Sequence, residues 1–473
     1  MSSKTYNTTI GLEIHAELKT RTKMFCDSKN DADEVRPNVN VCPICMGHPG
    51  TLPVINKEAV RHVIRVGASV GGTIADFTEF DRKNYFYPDI PKGYQISQYK
   101  FPLVSGGELN GVKLTRVHLE EDTASSGHDE GDFSLVDFNR AGVPLMELVT
   151  EPVIKSAEEA GNFARELQLL LRYLGASDAN MEKGEMRVEA NISVSDTKEF
   201  GTKVEVKNLN SFKAVERAID YEVKRHIELL EKGEKISQET RGWDEDKGKT
   251  FSQRQKEDSH DYRYFPDPDL PKLKISEIAE FADKPIRASL PELPRQKRAR
   301  YAKDFGLKVA DIHIYVSNPE LAKFFEDVAG ALKNPPSQGF GEARKDLIAL
   351  ASNYIISDDA AKISSDNLVK IILMIDGGKL SSRGAKDLIA KLKEKSGDAE
   401  KIAKENNLLQ VSDTGALEKI AEKIVSANPS VVTDFKNGKQ AAFQFLVGQG
   451  MKETKGSADP KALADAITKK ING

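Results

Sequence analysis

The feature that most constrains the fold is a strict alternation of polar and apolar side chains in several segments before residue 210. The polar positions are Glu13, His15 and Glu17 in residues 8–20, Arg187, Glu189, Asn191 and Ser193 in residues 187–194, and Lys203, Glu205 and Lys207 in residues 202–209. Successive side chains of a strand point to opposite faces, so each segment predicts a strand with one polar and one buried face. Strands of this kind are typical of antiparallel sheets with one covered face.

Two amphipathic segments predict helices among these strands. The first covers residues 156–175, with Ser156 as N-cap, Glu159 at the capping-box position and Gly175 as the stop. The second begins at Ser211 and ends at Gly233. Strands mixed with helices predict an α+β fold for this part of the chain.

The pattern changes after the proline-rich segment at residues 290–300, and helical periodicity follows. We therefore expect three domains. They are a catalytic domain at residues 1–292, an all-α helical domain at 293–406 and a small all-α tail domain at 407–473.

Composition excludes several classes of protein. The 473 residues have a net charge of −4, so the whole chain is not a basic nucleic-acid binder, and any such surface is local. No apolar run approaches the ~18 residues of a membrane span, and the N-terminus has no secretory signal. Three cysteines, all within residues 26–45, do not form a disulfide framework. We expect a cytoplasmic protein without membrane contact.

Carboxylates on the predicted strands are the first candidate site. The polar face of residues 8–20 is by itself equally typical of a solvated strand. Residues 115–128 add His118, Glu120, Glu121 and Asp122, and Glu147 lies between Met146 and Leu148. An ionised carboxylate in an apolar strand is costly unless a cation or donor meets it. Converging carboxylates therefore predict a site for a hard cation such as Mg²⁺ together with phosphate.

Two further segments carry candidate binding residues. Residues 81–102 interleave basic residues with aromatic ones, as in nucleotide or RNA contacts, although an aromatic core corner has the same composition. Cys42 and Cys45 have zinc-knuckle spacing, and Cys26 is a third candidate ligand. His48 is a candidate fourth ligand, or the fourth is missing, because Ser28 stands where a cysteine partner of Cys26 belongs. Reduced, buried cysteines are the alternative to zinc.

Common nucleotide-binding and amidase motifs are absent from the sequence. Position 243 is tryptophan, so Gly248-Lys249-Thr250 is not part of a Walker A loop, and no G-x-G-x-x-G follows a strand. The sequence also lacks the Gly-Gly-Ser-Ser-Gly run of amidases. An ATP site in this chain would therefore have to be held by metal and carboxylates, and the sequence offers no motif of its own for glutaminase chemistry.

Long segments of the sequence resemble one family. They are IGLEIHAEL, FDRKNYFYPDIPKGYQISQY, HLEEDT, FNRAGVPLMELVTEP, EANISV, VEVKNLNSF, DYRYFPDPDL and FLVGQGMKETKGSADP. In this order they are similar to the B subunit family of the glutamyl-tRNA(Gln)/aspartyl-tRNA(Asn) amidotransferase. The similarity extends over essentially the whole chain. The archaeal E subunit has a large C-terminal insertion for which 473 residues leave no room.

This resemblance implies an activity, cofactors and partners. The N-terminal domain would be a cradle similar to glutamine synthetase that receives a misacylated tRNA, Glu-tRNA(Gln) or Asp-tRNA(Asn). ATP and Mg²⁺ would serve to phosphorylate the side-chain carboxylate, and ammonia from a glutaminase A subunit would replace the phosphate. A small C subunit would complete a heterotrimer. The alternative function is a stand-alone ATP-dependent carboxylate–amine ligase acting on a small molecule.

The resemblance also implies roles for particular residues. The catalytic residues would be Glu13, His15, Glu121 and Glu147, of which His15, Glu121 and Glu147 would bind Mg²⁺. The choice between Glu120 and Glu121 stays open. Contacts to phosphate or acyl-tRNA would come from Lys83, Arg187, Asn191, Lys207 and Asn210. Lys436, Lys439, Lys452 and Lys455 would bind tRNA, although a solvated helix face explains the same lysines. The family's zinc knuckle has four cysteines, and Ser28 departs from it.

Overall fold

A computed structural model of the protein describes residues 5–127, 132–255, 262–333, 344–410, 414–454 and 458–472. The chain divides into two compact units, Met1–Pro294 and Arg295–Gly473. The first unit mixes strands with helices, and the elements of the second are helical. The α+β prediction is confirmed, whereas the three-domain limits at residues 292 and 406 stay a prediction.

The first unit contains both long and very short strands. They are β1 (Asn7–Glu17), β2 (Thr73–Ile74), β3 (Phe77–Thr78), β4 (Asp81–Asn84), β5 (Tyr94–Ser97), β6 (Val104–Ser105), β7 (Glu108–Leu109), β8 (Val112–Glu121), β9 (Ser125–Gly127), β10 (Leu135–Asp137), β11 (Pro144–Thr150), β12 (Met186–Ser195), β13 (Val204–Leu209), β14 (Glu239–Asp244), β15 (Lys249–Gln255), β16 (Phe265–Pro266) and β17 (Leu273–Lys274). The helices of this unit are α1 (Lys57–Ser69), α2 (Ala157–Tyr173), α3 (Phe212–Glu231) and α4 (Asp283–Ala288).

A ten-stranded sheet organises the first unit. Its order is β15-β14-β13-β12-β1-β11-β8-β6-β2, with β7 paired to β8. Of these pairings, β13 with β14 is parallel and the others are antiparallel. The register places His15 between Glu147 on β11 and Arg187 on β12. The polar positions predicted from alternation therefore share one face of the sheet.

The opposite face of the sheet is the core. Ile10, Leu12 and Ile14 of β1 are fully buried with Val188 and Ile192 of β12. Helices α1, α2 and α3 pack against this side of the sheet. Full burial of each such side chain contributes about 1.5–3 kcal/mol, so the sheet cannot flip its faces without losing most of its stability.

The predicted helix ends are confirmed. The Ser156 hydroxyl accepts from the Glu159 amide at 3.1 Å, and the Ser211 hydroxyl accepts from the Ala214 amide at 3.0 Å. Each bond satisfies an amide that the first helical turn leaves without a partner. Gly175 and Gly233 follow the two helices with φ of 62° and 74°, a left-handed conformation that glycine adopts without strain.

A small three-stranded sheet, in the order β16-β4-β5, carries the basic and aromatic residues of the 81–102 segment. Arg82 on β4 connects this sheet to the loop after β16, because its Nε donates to the buried Asp267 carboxylate at 2.9 Å. Its guanidinium also lies 4.3 Å from the centroid of the Tyr94 ring. These two contacts of Arg82 restrict the position of the small sheet and of its aromatic side chains.

The second unit is built from helices that follow one another closely. They are α5 (Pro294–Arg300), α6 (Val309–Ser317), α7 (Pro319–Lys333), α8 (Lys345–Ser357), α9 (Ser365–Asp376), α10 (Ser382–Glu394), α11 (Ala399–Glu405), α12 (Thr414–Ala427), α13 (Pro429–Lys436), α14 (Gln440–Glu453) and α15 (Pro460–Asn472). Helices α12, α14 and α15 enclose a core of their own that includes Leu417, Leu446 and Leu463. Among the described residues, every helix is too short or too polar to cross a membrane.

Candidate active site

A histidine and two glutamates from three neighbouring strands form the centre of the polar sheet face. His15 Nε2 lies 3.5 Å from Glu120 Oε1 and 3.6 Å from Glu147 Oε2. His118 Nε2 lies 3.2 Å from the same Glu147 oxygen. We call His15, Glu120 and Glu147 the first cluster; the three offer ligand atoms within 4.8 Å of one another. Two carboxylates and an imidazole fit a divalent cation that prefers oxygen ligands.

The ionisation of the first cluster follows from its crowding. Burial opposes protonation of His15, but the hydrogen bond and charge of Glu147, with Glu120 nearby, raise the pKa of His15 to about 9. Burial favours the neutral form of Glu147, yet His118 and His15 hold its pKa well below the usual range. The metal-free cluster therefore contains an imidazolium–carboxylate pair, and a bound cation must displace the imidazolium proton.

Glu120 belongs to this cluster, whereas the sequence-based assignment named Glu121 and left the choice between the two open. The two residues point to opposite faces of β8. The Ser97 hydroxyl donates to Glu120 at 3.1 Å on the cavity side. Glu121 accepts from the Ile96 amide at 2.9 Å and forms a buried ion pair with Lys92 on the other side. The structure does not bring Glu121 together with His15 and Glu147.

A second group of three carboxylates lies beside the first. Glu13, Glu189 and Glu205 have ligand oxygens within 4.8 Å of one another, and we call them the second cluster. Asn191 Nδ2 donates to Glu13 at 2.8 Å, and Lys207 Nζ donates to Glu189 at 2.8 Å. The predicted binding residues Asn191 and Lys207 therefore hold carboxylates in this structure. The oxygens of the three carboxylates are close enough to share a cation, although the Lys207 ammonium already offsets part of their charge.

An open cavity of about 400 Å³ contains both clusters. Lys83 and Arg187, both predicted as binding residues, line it together with Lys203 and Arg116. Burial lowers the pKa of Lys83, but Glu120 and the neighbouring Tyr264 and Tyr85 more than offset this, and its pKa stays well above its usual value. The cavity thus combines carboxylates whose oxygens converge with basic side chains.

Other predicted residues lie outside this cavity. Asn210 is exposed after the end of β13 and is not among the residues that line the cavity. Lys436 and Lys452 are exposed on α13 and α14, and Lys439, exposed just before α14, pairs through Nζ with Asp434 at 2.9 Å. Lys455 lies outside the residues that the structure describes.

The three cysteines do converge. The sulfur atoms of Cys26, Cys42 and Cys45 lie within 4.8 Å of one another, and His48 is not a member of this group. Ser28 Oγ lies 4.0 Å from Cys45 Sγ, close to where a fourth ligand belongs. The buried Lys23 ammonium lies 3.8 Å from the same sulfur. The donor set offers three of the four ligands of a structural zinc site.

Sequence reasoning missed two members of the second cluster. Alternation predicts Glu189 and Glu205 as polar strand positions, but the pairing of β1, β12 and β13 that brings them to Glu13 is not readable from it. Glu13 lies opposite Glu189, and Asn191 lies opposite Glu205. Counting from these registers identifies the cluster once the strand order is known.

A sheet face that gathers carboxylates, a histidine and basic side chains in one open cavity is typical of an enzyme domain that handles cations and phosphates. The family model described as "GatB/GatE catalytic domain" matches residues 8–280, and the one described as "GatB domain" matches residues 323–471. The chain therefore belongs to the GatB/GatE family.

Curated relatives align over nearly their whole length. A Carboxydothermus hydrogenoformans protein is 42% identical, with 98% of this chain and 99% of the relative covered. A Crocosphaera subtropica protein is 43% identical, with 99% and 98% covered, and a Thermodesulfovibrio yellowstonii protein is 43% identical, with 98% and 99% covered. Each of the three is named as the B subunit of an aspartyl/glutamyl-tRNA(Asn/Gln) amidotransferase.

Proposed function

We propose that this chain is the ATP-using, tRNA-binding subunit of an amidotransferase and acts as a carbon–nitrogen ligase. Its substrates are Glu-tRNA(Gln), Asp-tRNA(Asn) or both, and its partners are a glutaminase A subunit and a small C subunit. The names and full-length similarity of the relatives support this proposal. They also favour it over a stand-alone ligase acting on a small molecule. The observation that carries it is the cavity with two carboxylate clusters and facing basic side chains.

The reaction must activate a carboxylate, which is a poor electrophile because its leaving group would be oxide. An oxygen of the aminoacyl side chain attacks the γ-phosphorus of ATP, ADP leaves, and an acyl phosphate forms. Ammonia then attacks the acyl carbon and the carbon–oxygen bond to phosphate breaks. The products are the amide and inorganic phosphate, which takes up one proton of the ammonia. Both steps concentrate negative charge between phosphate and carboxylate.

The first cluster is the proposed site of the nucleotide's Mg²⁺. His15, Glu120 and Glu147 would hold the cation, since their donor atoms converge from three strands that cannot move independently. When bound, Mg²⁺ neutralises charge on the phosphates and the carboxylate. The second cluster, which includes Glu13, is the proposed place of a further cation.

Basic residues of the cavity have the proposed role of orienting the two anions. Lys83 lies in the field of Glu120 and Glu147, so its ammonium is held next to the cluster and charged. Arg187 Nη2 donates to Asp122 at 3.0 Å, which fixes the guanidinium at the cavity wall. Such prepositioned charges stabilise a developing anion without reorganisation during the reaction.

Zinc and the tail lysines have separate places in the proposal. A structural zinc ion normally has four protein ligands, whereas the cysteine cluster supplies three, so zinc has no part in the proposed reaction. The exposed Lys436, Lys439 and Lys452 are proposed to contact tRNA phosphates, which makes tRNA binding sensitive to salt.

Amide formation by the reconstituted three-subunit complex tests the proposal. Glu-tRNA(Gln) and Asp-tRNA(Asn) are supplied separately with ATP, Mg²⁺ and either glutamine or ammonium chloride. We expect amide on at least one of the two, and a loss of activity of about 100-fold or more in His15→Ala and Glu147→Gln. Glu182→Gln, a change of an exposed glutamate outside the cavity, is the matched control. Absence of amide on both tRNAs, or full activity of the two cluster variants, would contradict the proposal.

A further inference from the structure

A second, more apolar groove adjoins the cavity. It has a volume of about 670 Å³, and six of the residues that line it are Tyr85, Phe86, Tyr87, Tyr262, Arg263 and Phe265. Phe86 is 85% exposed, Tyr87 48% and Phe265 44%. Exposed aromatic side chains clustered in this way are typical of a surface that binds a partner.

Two rings of the groove, Tyr85 and Phe86, have close neighbours. Phe86 lies against Gly93, whose φ is 73°, so closely that a Cβ at that position would be 3.3 Å from the ring. Tyr85 has two aromatic neighbours, since its ring centroid lies 5.9 Å from that of Tyr87 and 5.9 Å from that of Tyr262. A ring that is already packed against others loses little side-chain entropy when a flat ligand binds.

The groove is continuous with the cavity. Tyr85 and Tyr262 line both, and Tyr262 continues the row of rings to Tyr264 in the cavity at 5.9 Å. Lys83 Nζ lies 4.9 Å from the centroid of Tyr262 and is also in the field of Glu120 and Glu147. A ligand in the groove therefore lies next to the reacting end of the cavity.

Two ligands could offer a purine to this groove, the end of an RNA strand and ATP. The charge of the groove favours the RNA strand. Within the described part of the chain, Arg263 is the one lining residue with a cationic side chain. One cation matches the single phosphodiester charge of a nucleotide in an RNA strand. A triphosphate needs several cations, and these are in the cavity, where Lys203, Lys207 and the carboxylate clusters lie. The exposed side chains of Phe86, Tyr87 and Phe265 also leave the groove accessible to a long polynucleotide.

We propose that this groove binds the unpaired 3′-terminal nucleotide of the misacylated tRNA, with its base stacked on Phe86 and Tyr262. Arg263 meets the adjoining phosphate. The inference rests on the proposed function and adds the place that positions the esterified ribose beside the first cluster. Aromatic rings next to a basic side chain are the usual way in which proteins bind unpaired RNA ends.

Binding of deacylated tRNA(Gln) to the reconstituted complex tests this inference without any turnover. Two RNAs are compared, the intact tRNA and the same tRNA without its terminal adenosine, on wild type, Phe86→Ala and the control Phe200→Ala. Phe200 is 73% exposed and lines neither the groove nor the cavity. We expect Phe86→Ala to bind intact tRNA about 5- to 100-fold more weakly, the range for loss of one stacked base. The shortened tRNA should bind wild type and Phe86→Ala equally.

Two outcomes would overturn the inference. One is equal binding of intact tRNA by wild type and Phe86→Ala. The other is weaker equilibrium binding of a non-hydrolysable ATP analogue by Phe86→Ala with unchanged tRNA affinity, which would place the ATP adenine in the groove. Thermal unfolding of the variant complexes controls for folding, and Tyr262→Phe, which keeps the ring, should retain tRNA affinity. Because no amide has to form, failure of the groove is distinguishable from failure of the proposed reaction.

Discussion

Changing Glu120 and Glu121 one at a time tests the geometry of the first cluster in detail. Glu120→Gln keeps the size of the side chain and an oxygen for the Ser97 hydroxyl, which donates to Glu120 at 3.1 Å, but removes one negative charge. Unit charges about 4 Å apart near a protein surface attract by about 4 kcal/mol, twice that for a dication, before dehydration is subtracted. Changes outside a ligand shell already weaken metal binding about 10- to 100-fold. We therefore expect Glu120→Gln to bind the cation at least about 100-fold more weakly, which is about 3 kcal/mol of binding free energy.

Glu121→Gln is the matched variant and should fail in another way. The side chains of Lys92 and Glu121 are 13% and 6% exposed, so removing the carboxylate leaves a buried ammonium without its counter-charge. Breaking such a pair costs about 3–5 kcal/mol of the free energy of unfolding. Cation affinity should change little, because Glu121 points away from the cavity.

Binding of Mn²⁺ to the full chain, followed by electron paramagnetic resonance with Mg²⁺ as competitor, separates the two variants. Urea unfolding of the same samples measures the stability loss. The geometry predicts weak cation binding for Glu120→Gln, and nearly unchanged cation binding with a loss of stability for Glu121→Gln. Loss of cation binding in Glu121→Gln together with normal binding in Glu120→Gln would refute this account of the cluster.

Four further predictions follow from other parts of the chain. Because the pKa of His15 is raised to about 9 and the imidazolium cannot bind a cation, Mn²⁺ affinity should rise up to tenfold per pH unit and level off above about pH 9; a flat profile between about pH 7 and 9 would contradict this. Glu222→Gln should lower the free energy of unfolding in urea by about 3–5 kcal/mol, since this carboxylate is fully buried among cationic partners. Because the pKa of Glu222 is lowered to about 2, the stability difference between wild type and Glu222→Gln is present above about pH 4.5 and shrinks as the pH falls towards 2. A stability difference that does not change with pH would show that the charge of Glu222 is not its source. Ser28→Cys should tighten Zn²⁺ binding and strengthen the thiolate-to-Co²⁺ charge-transfer band by about one third, as a fourth thiolate joins three; an unchanged spectrum would show that position 28 is not a ligand position. Lys436→Ala should make the slope of log tRNA affinity against log salt less negative by about 1, and an unchanged slope would assign the lysine to a solvated helix face.

Local alternation was sufficient to predict the faces of the strands that build the site. The two-residue period of β1 and β12 places His15 and Arg187 on the polar face, and burial of Leu12 and Val188 on the other face bears this out. The period works there because one face packs against helices and the other borders a cavity. The helix caps at Ser156 and Ser211 were equally local signals.

The end of β8 is where the same reasoning fails. Glu120 and Glu121 are adjacent acids that are 2% and 4% exposed, so neither polarity nor burial tells which one faces the cavity. Pairing with β11 decides it. Leu145 lies opposite Glu120 and two residues from Glu147, so Glu120 and Glu147 share one face of the sheet. The second cluster likewise depends on strand order, because Glu13 and Glu189 are far apart in sequence and opposite in register. Neither long-range pairing is contained in a local pattern.

Oxygen transfer during the reaction tests the central claim most directly. The reconstituted complex receives Glu-tRNA(Gln) with ¹⁸O in the side-chain carboxylate, together with ATP, Mg²⁺ and ammonium chloride, and the inorganic phosphate is analysed by mass spectrometry. If the carboxylate is phosphorylated and the phosphate is then displaced by ammonia, one ¹⁸O atom appears in phosphate for each amide formed. Amide formation with phosphate free of ¹⁸O would contradict the proposed activation of the carboxylate.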